Sequence, residues 1–479
     1  MKRSLLATTA LLFSLTTIFS QTNLEIDIKN YESDSLIFGY YLADKLLVKD
    51  TLLRDVETGK FSYAQDSLLE QGVYLIVSMP EGLFYQVLVG GADQQEFQIQ
   101  IDTTTEQEIF FSEGSKENEL FYSYLNFVNA SRAKLEEIDK VIDDTDTVMV
   151  TIREQLIQDQ QALSYNVEVQ QKKLVEEHPN TITALLVGAN LPFNFPEFTG
   201  TDEEIQTQRY LHYREHYFDN INLDHPALLR TPVIDQRVNY YMDNLTQLEP
   251  DSIIVGVDRI LGLLENNEDA YRYYLSHFLN KYGNSKYIGM DAVYVHLALE
   301  YYDKGKAPWI SDENKEEIVS NAKKIAPILI GKTAPDFTIQ TQDGSPITLS
   351  ERENEYTVLV FWKPNCGHCT KAMPHVLEFD KKWRDKGVET IAICTKTGKD
   401  YDTCWEDVEK KGMQDLINAA DQYQKSRILS KYYATSTPKI FIIDKEQKIV
   451  IKKVPAENLD AVLVQLTSTE ETKEETSGE

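Results

Sequence analysis

Cysteine is missing from the chain until residue 366, and only four occur in 479 residues: Cys366, Cys369, Cys394 and Cys404. A secreted scaffold stapled by disulfides scatters cysteines along its length, so bracing of that kind is excluded for most of this chain. Clustering in the last quarter points to one module that uses thiols for redox work. Positive charge is also scarce. The 48 Lys and Arg stand against 77 Asp and Glu, a formal charge of -29, and a polyanion repels nucleic acid and anionic membrane surfaces alike. Long hydrophobic runs are lacking too. The one apolar stretch of note, Leu5 to Ile18, is short for a span, follows Lys2 and Arg3, and precedes a small residue, Ser20. It reads as a secretory signal over residues 1–20, removed before Gln21, and predicts a periplasmic or secreted protein with no stable membrane insertion after removal. No cysteine lies near that cut, so a lipid anchor is unsupported. A repeat period is absent, which disfavours a solenoid.

What is present suits a multidomain protein. Apolar residues make up 42% of a chain long enough for about three domains. Over 21–111, period-two segments such as Leu24-Glu-Ile-Asp-Ile28 and Phe97-Gln-Ile-Gln-Ile101 predict a β-rich domain, a small antiparallel sandwich or partly closed barrel. Over 112–326 the period turns helical, giving an all-α middle domain with a loop at Asn190 to Thr199 that holds Pro192 and Pro196. Over 327–466 strands and helices alternate, the pattern of an α/β unit with parallel pairing. The acidic, polar residues 467–479 predict a disordered tail.

The chemistry is concentrated in Cys366-Gly367-His368-Cys369. Two thiols two residues apart can close a small disulfide. They stand between a buried-strand pattern, Tyr356 to Trp362, and a helical one, Thr370 to Trp383. Cys366 therefore falls at a helix N-terminus, where free backbone N–H groups and the helix dipole favour a thiolate. The motif alone is ambiguous, because a C-x-x-C also begins zinc sites. Zinc needs further ligands at suitable spacing, and the sequence has no second C-x-x-C; metal and cofactor are not expected. Pro374 follows inside the helix, where a kink is expected, and Thr437-Pro438 precedes a strand about seventy residues later.

With these features the C-terminal part resembles the thioredoxin superfamily, in its TlpA/ResA-like, AhpC/TSA-related branch. The resemblance runs over roughly Ile328 to Leu466. It rests on Gly331-Lys-Thr-Ala-Pro-Asp-Phe337, Phe361-Trp362, Cys366-Gly-His-Cys369, Pro374 and Ser436-Thr-Pro-Lys439. The Cys-Gly-His-Cys string is similar to that of protein disulfide isomerase. The resemblance implies a C-terminal thioredoxin fold and roles for matching residues. Cys366 is the attacking thiolate and Cys369 the resolving thiol of a redox-active disulfide. His368 stabilises the Cys366 thiolate. Pro438 is cis and sets Thr437 beside Cys366 to bind substrate, with Trp362 at the same surface. Disulfide-bearing protein clients and an upstream redox partner are the implied partners. Three departures stand out: Val360 replaces a buried acid six residues before the first cysteine, Ala372 replaces a Glu three residues after the second, and Asn365 replaces Trp. The proton acceptor for Cys369 is thus missing from its family positions. More weakly, the layout resembles secreted Gram-negative proteins with domains of unknown function upstream of a thioredoxin module.

Other candidates have blander readings. Cys394 and Cys404 form a second disulfide if the loop between them folds back, and otherwise are two small, partly buried thiols. His212-Tyr-Arg-Glu215-His216 sets two imidazoles and a carboxylate on one helix face, as in inverted zinc proteases; a solvated or capping face is the favoured reading. The many tyrosines of the helical region are read as core packing rather than a peptide groove. The sequence thus predicts a thiol–disulfide oxidoreductase, of undecided direction. The alternative is a binding or assembly protein that uses its upstream domains and carries an incidental redox module.

Overall fold

Alternation builds the N-terminal region. In β1 (Thr22–Lys29), Leu24, Ile26 and Ile28 point inward while Asn23, Glu25 and Asp27 do not. The computed structural model describes residues 21–79, 82–102, 108–111, 114–143 and 150–477, so the signal expected over 1–20 lies outside the described residues. The remaining strands of this region are β2 (Ser35–Leu42), β3 (Lys45–Leu53), β4 (Phe61–Gln65), β5 (Gly72–Ser78), β6 (Phe84–Val89), β7 (Glu96–Asp102) and β8 (Glu108–Phe111). They form two four-stranded sheets, ordered β4-β1-β7-β8 and β3-β2-β5-β6. Their inner faces share one core, in which Ile26 and Ile99 meet Phe38, Ile76 and Val87, the arrangement of a sandwich. The sheets are antiparallel except where β1 pairs parallel with β7. Those two strands are distant in sequence, so no hairpin turn imposes the opposite direction.

Helices follow: α1 (Lys116–Asp143), α2 (Val150–Glu177), α3 (Ile182–Gly188), α4 (Asp202–Glu215), α5 (Val233–Asn244), α6 (Pro250–Leu263), α7 (Glu268–Gly283), α8 (Asp291–Leu297) and α9 (Asp312–Ile325). Several starts are capped by short side chains that accept an orphan backbone N–H. Thr201 and Glu204 form a reciprocal capping box at α4, and Ser311 caps α9. The loop with Pro192 and Pro196 carries no regular structure. Where the period predicts one helix to Tyr302, α8 gives way to a π-helical turn, Ala298–Asp303.

Two compact units divide the chain. One runs to Leu245 and takes in Gly262–Tyr271; the other comprises Thr246–Leu261 and everything from Arg272. The second unit contains a seven-stranded sheet ordered β10-β9-β13-β12-β11-β14-β15. Its strands are β9 (Thr338–Gln340), β10 (Pro346–Thr348), β11 (Tyr356–Trp362), β12 (Val388–Cys394), β13 (Ile417–Ala420), β14 (Lys439–Asp444) and β15 (Ile449–Lys452). Its helices are α10 (Gly367–Trp383), α11 (Asp402–Lys410), α12 (Ile428–Lys431) and α13 (Leu459–Ser477). β11, β12 and β13 run parallel, and β14 is antiparallel to β11. Every residue of β11 is buried, because both faces of the sheet are covered. Val358, Val360 and Trp362 pack with residues of α10, α11 and α13, while Leu359 and Phe361 pack with Phe337, Ile428 and Tyr432. On α8, Asp291 accepts from Lys452 Nζ at 2.7 Å, and Lys452, only 1% exposed, also donates to the Ile328 carbonyl at 2.8 Å.

One expectation is corrected. The residues from 467 were read as disordered, yet α13 continues past Leu466 to Ser477. Glu and Lys are favourable in helices, and no Gly or Pro interrupts the segment before Gly478.

Candidate functional site

The end of β11 delivers the chain to the thiols. Asn365 then turns it through the left-handed region, with φ of 56°, a conformation that Asn tolerates and a bulky residue resists. Cys366 is the N-cap of α10, in extended backbone, and its sulfur accepts the Cys369 amide at 3.2 Å. The helix passes through Pro374. Both thiols are free; Cys366 is 9% exposed and Cys369 fully buried. The Thr437–Pro438 peptide is cis. The Thr437 carbonyl lies 3.5 Å from the Cys366 sulfur and its hydroxyl 3.7 Å away.

The two thiols are thereby made unlike. Burial alone would raise Cys366, but hydrogen bonds from the Cys369 thiol and amide, the Thr437 hydroxyl and the His368 amide outweigh it and hold the thiol below its ordinary value. Burial, together with the hydrogen bond to Cys366, pushes Cys369 up. The Cys366 thiol, slightly exposed, is thus the readier of the two to ionise, and the fully buried Cys369 the more reluctant. His368 acts on Cys366 through its backbone, while its exposed side chain lines a neighbouring cavity. Trp362 departs from expectation. It is fully buried in the core beneath the thiols, so it supports the site and offers no surface to a client. The strand pattern that predicts β11 buried on both faces also predicts this.

Two charged residues were missed by sequence reasoning. Asp407 and Lys411 form an ion pair one turn apart at the end of α11, both largely buried. Lys411 Nζ stands 5.9 Å from the Trp362 ring centroid. Burial lowers the Lys411 ammonium, and the fields of Cys369 and Cys366 oppose that shift. The only signal in the sequence is a charge pair on the inward face of an amphipathic helix. Cys394 and Cys404 are bonded to each other. Cys394 ends β12 directly beside Trp362 of β11, and Cys404 lies on α11. The bridge therefore ties the helix that carries Lys411 to the strand end next to the thiols.

Comparison with known proteins places this geometry. The AhpC/TSA family matches residues 330–452, and a domain of unknown function, DUF5106, matches residues 153–326. Thiol-disulfide oxidoreductase ResA of Bacillus thuringiensis is 32% identical over 142 residues, which is 29% of this chain and 79% of that protein. The protein of the same name from Bacillus anthracis matches over the same 142 residues with 32% identity, again 29% of this chain and 79% of its own. Through its C-terminal region the chain belongs to the ResA-like thiol-disulfide oxidoreductases. Among solved structures, a domain of possible thiol-disulfide isomerase from Cytophaga hutchinsonii is similar at 29% identity, over 31% of this chain and 99% of that one, with a TM-score of 0.28.

Val360 and Ala372 are both buried and cannot take a proton. Lys411, paired with Asp407, is an ionisable group on which the field of Cys369 acts. The other sequence candidates settle elsewhere. His212 packs edge-to-face against Phe193 and Phe198, His216 pairs with Asp219 at 2.6 Å, and no cluster fit to hold a metal ion occurs among the described residues. Tyr217, Tyr241, Tyr274, Tyr301 and Tyr302 are buried, whereas Tyr210 and Tyr240 are exposed. Among the described residues no helix is long and apolar enough to cross a membrane.

Proposed function

We propose that the protein exchanges disulfides with protein clients outside the cytoplasm, through Cys366 and Cys369 and without a cofactor. The observation that carries this is the Cys366 thiol, 9% exposed where Cys369 is fully buried, held below its ordinary pKa and set beside the Thr437 carbonyl. In the reductive direction the Cys366 thiolate attacks one sulfur of a client disulfide. That S–S bond breaks, a mixed disulfide forms, and the first client thiolate leaves with the electron pair. Cys369 then gives up its proton and attacks the Cys366 sulfur. The Cys366–Cys369 bond forms, the second client thiolate departs, and both client thiolates take protons. Two electrons pass to the client, and an upstream redox partner returns them. The reverse sequence oxidises a client.

The Thr437 carbonyl is placed to accept a backbone N–H of the client chain, which aligns its disulfide with Cys366. An extracytoplasmic setting is supported by the Cys394–Cys404 bond, since a persistent buried disulfide is rare in a reducing cytosol. The decisive test is trapping. A Cys369→Ser variant accumulates mixed disulfides with clients, visible as adducts that dithiothreitol removes; no adducts from the variant would sink the reading. The reduction potential of the pair then settles the direction, with a value of about -270 mV marking a reductase and one of about -180 mV an isomerase.

A further inference from the structure

A cavity of about 850 Å³ opens beside the thiols within the second unit, with His368, Thr437 and Pro438 among its lining residues. Its charge runs against that of the chain. Lys371, Lys439, Lys452 and Lys453 face it, against only Asp291 and Glu457, although acids outnumber bases by 77 to 48 overall. Asp291 is already engaged by Lys452 at 2.7 Å and Lys453 at 3.5 Å. Lys371 is exposed and has no ion-pair partner among the described residues. Lys439 directly follows cis-Pro438 and is partly buried, its Nζ donating to the Tyr433 carbonyl at 2.6 Å. Burial above all, then the nearby Lys453 and Lys452, push it down to about 8, with Asp291 opposing.

Resting on the exchange reading above, we propose that this cavity selects clients whose reacting disulfide is flanked by an acidic stretch of polypeptide. The attacking thiol requires that the bound molecule carry a disulfide. Thr437 lines the cavity and its carbonyl lies 3.5 Å from the Cys366 sulfur, so one bound molecule can present a disulfide to the thiol and anionic groups to the cavity. Its volume lies within the range of about 300–1,000 Å³ usual for ligand clefts, ample for several side chains. A client strand laid along the Thr437 backbone brings its neighbouring carboxylates to Lys439 and Lys371. Ion pairs there raise the rate of productive encounter and fix the register of the strand.

The test uses the full-length reduced protein and three peptides with the same internal disulfide, flanked by Asp and Glu, by Ser, or by Lys. Each exchange rate is divided by that of the same peptide with dithiothreitol, which cancels the effect of flanking charge on the disulfide itself. At about 0.1 M ionic strength the Debye length is about 10 Å, so the distant acidic surface is screened while charges across the cavity are not. The acidic peptide should exceed the Ser peptide by about tenfold, and the Lys peptide should be slowest. The ratio should collapse toward one in Lys371→Gln/Lys439→Gln, and in wild type at about 1 M salt, where the Debye length is about 3 Å. Equal normalised rates for acidic and Ser peptides, or a ratio that survives both the substitutions and the salt, overturn the acidic-client proposal while exchange stands. The same ratio from a small disulfide bearing two carboxylates overturns the polypeptide part. No exchange above the Cys366→Ser background with any peptide overturns the exchange reading and the selection with it.

Discussion

Two cysteine pairs share one hydrophobic core and stand in opposite states, one free and one bonded. Cys366 and Cys369 are free, span a helix N-terminus, and differ in accessibility and in the direction of their pKa shifts. Cys394 and Cys404 are 3% and 0% exposed and closed on each other. What separates a reactive pair from an inert one is the donors around the sulfur and the path to it, since the residue type is the same. The inert pair still serves the reactive one. It fastens α11 beside the ends of β11 and β12, where Asp407 and Lys411 reach the thiols' surroundings.

The strongest test of this contrast removes the nucleophile. Cys366→Ser should lower insulin reduction, coupled to dithiothreitol, to the uncatalysed rate; Cys404→Ser should leave most of it. Undiminished activity in Cys366→Ser would erase the distinction between the pairs. Next in size is stability. Losing the Cys394–Cys404 bridge, with a sequence separation of 10, should cost about 2–3 kcal/mol in urea unfolding of Cys404→Ser. A smaller loss would mean that packing alone holds α11. Lys411→Met removes a positive charge from beside Cys369, an effect of about 1.4 kcal/mol, and should slow resolution of a preformed mixed disulfide about tenfold at pH 7. Attack by Cys366 on a client should suffer less, so separate single-turnover rates for the two steps check where Lys411 acts. The smallest effect is a shift in pH. Because Cys366 is held low, its thiolate persists at pH values where an ordinary thiol is protonated. Its alkylation midpoint in the reduced protein should therefore fall below that of an ordinary thiol, and that of Cys369 above it. Coincident midpoints, read by mass spectrometry, would remove the asymmetry on which the exchange cycle depends.

Much of the fold is legible in one dimension. Period-two segments such as Leu24 to Ile28 become sandwich strands, and the unbroken apolar run of Tyr356 to Trp362 becomes a strand buried on both faces. These patterns are local, so they survive without knowledge of partners. The continuation of α13 to Ser477 was misread because acidity was taken as a sign of disorder. Composition weighs solubility, whereas helix formation depends on the absence of breakers and on favourable backbone propensity. The parallel pairing of β1 with β7 was also hidden, because strands distant in sequence leave no turn to mark their direction.

For the site, two thiols two residues apart at a strand-to-helix handover are legible in the sequence, and the family resemblance adds Pro438 and the class of reaction. The thiols follow from short spacing and the handover, while the proline and the reaction class rest on the family's motifs. Only the tertiary structure decided the rest. It buried Trp362 instead of offering it to a client, paired Cys394 with Cys404, and carried Lys411, paired with Asp407, from a later helix to within 5.9 Å of the Trp362 ring. It also gathered Lys371, Lys439, Lys452 and Lys453 around one cavity. The physical reason is range: backbone patterns are written in neighbouring residues, while a thiol's protonation and its choice of client depend on charges brought near it by folding.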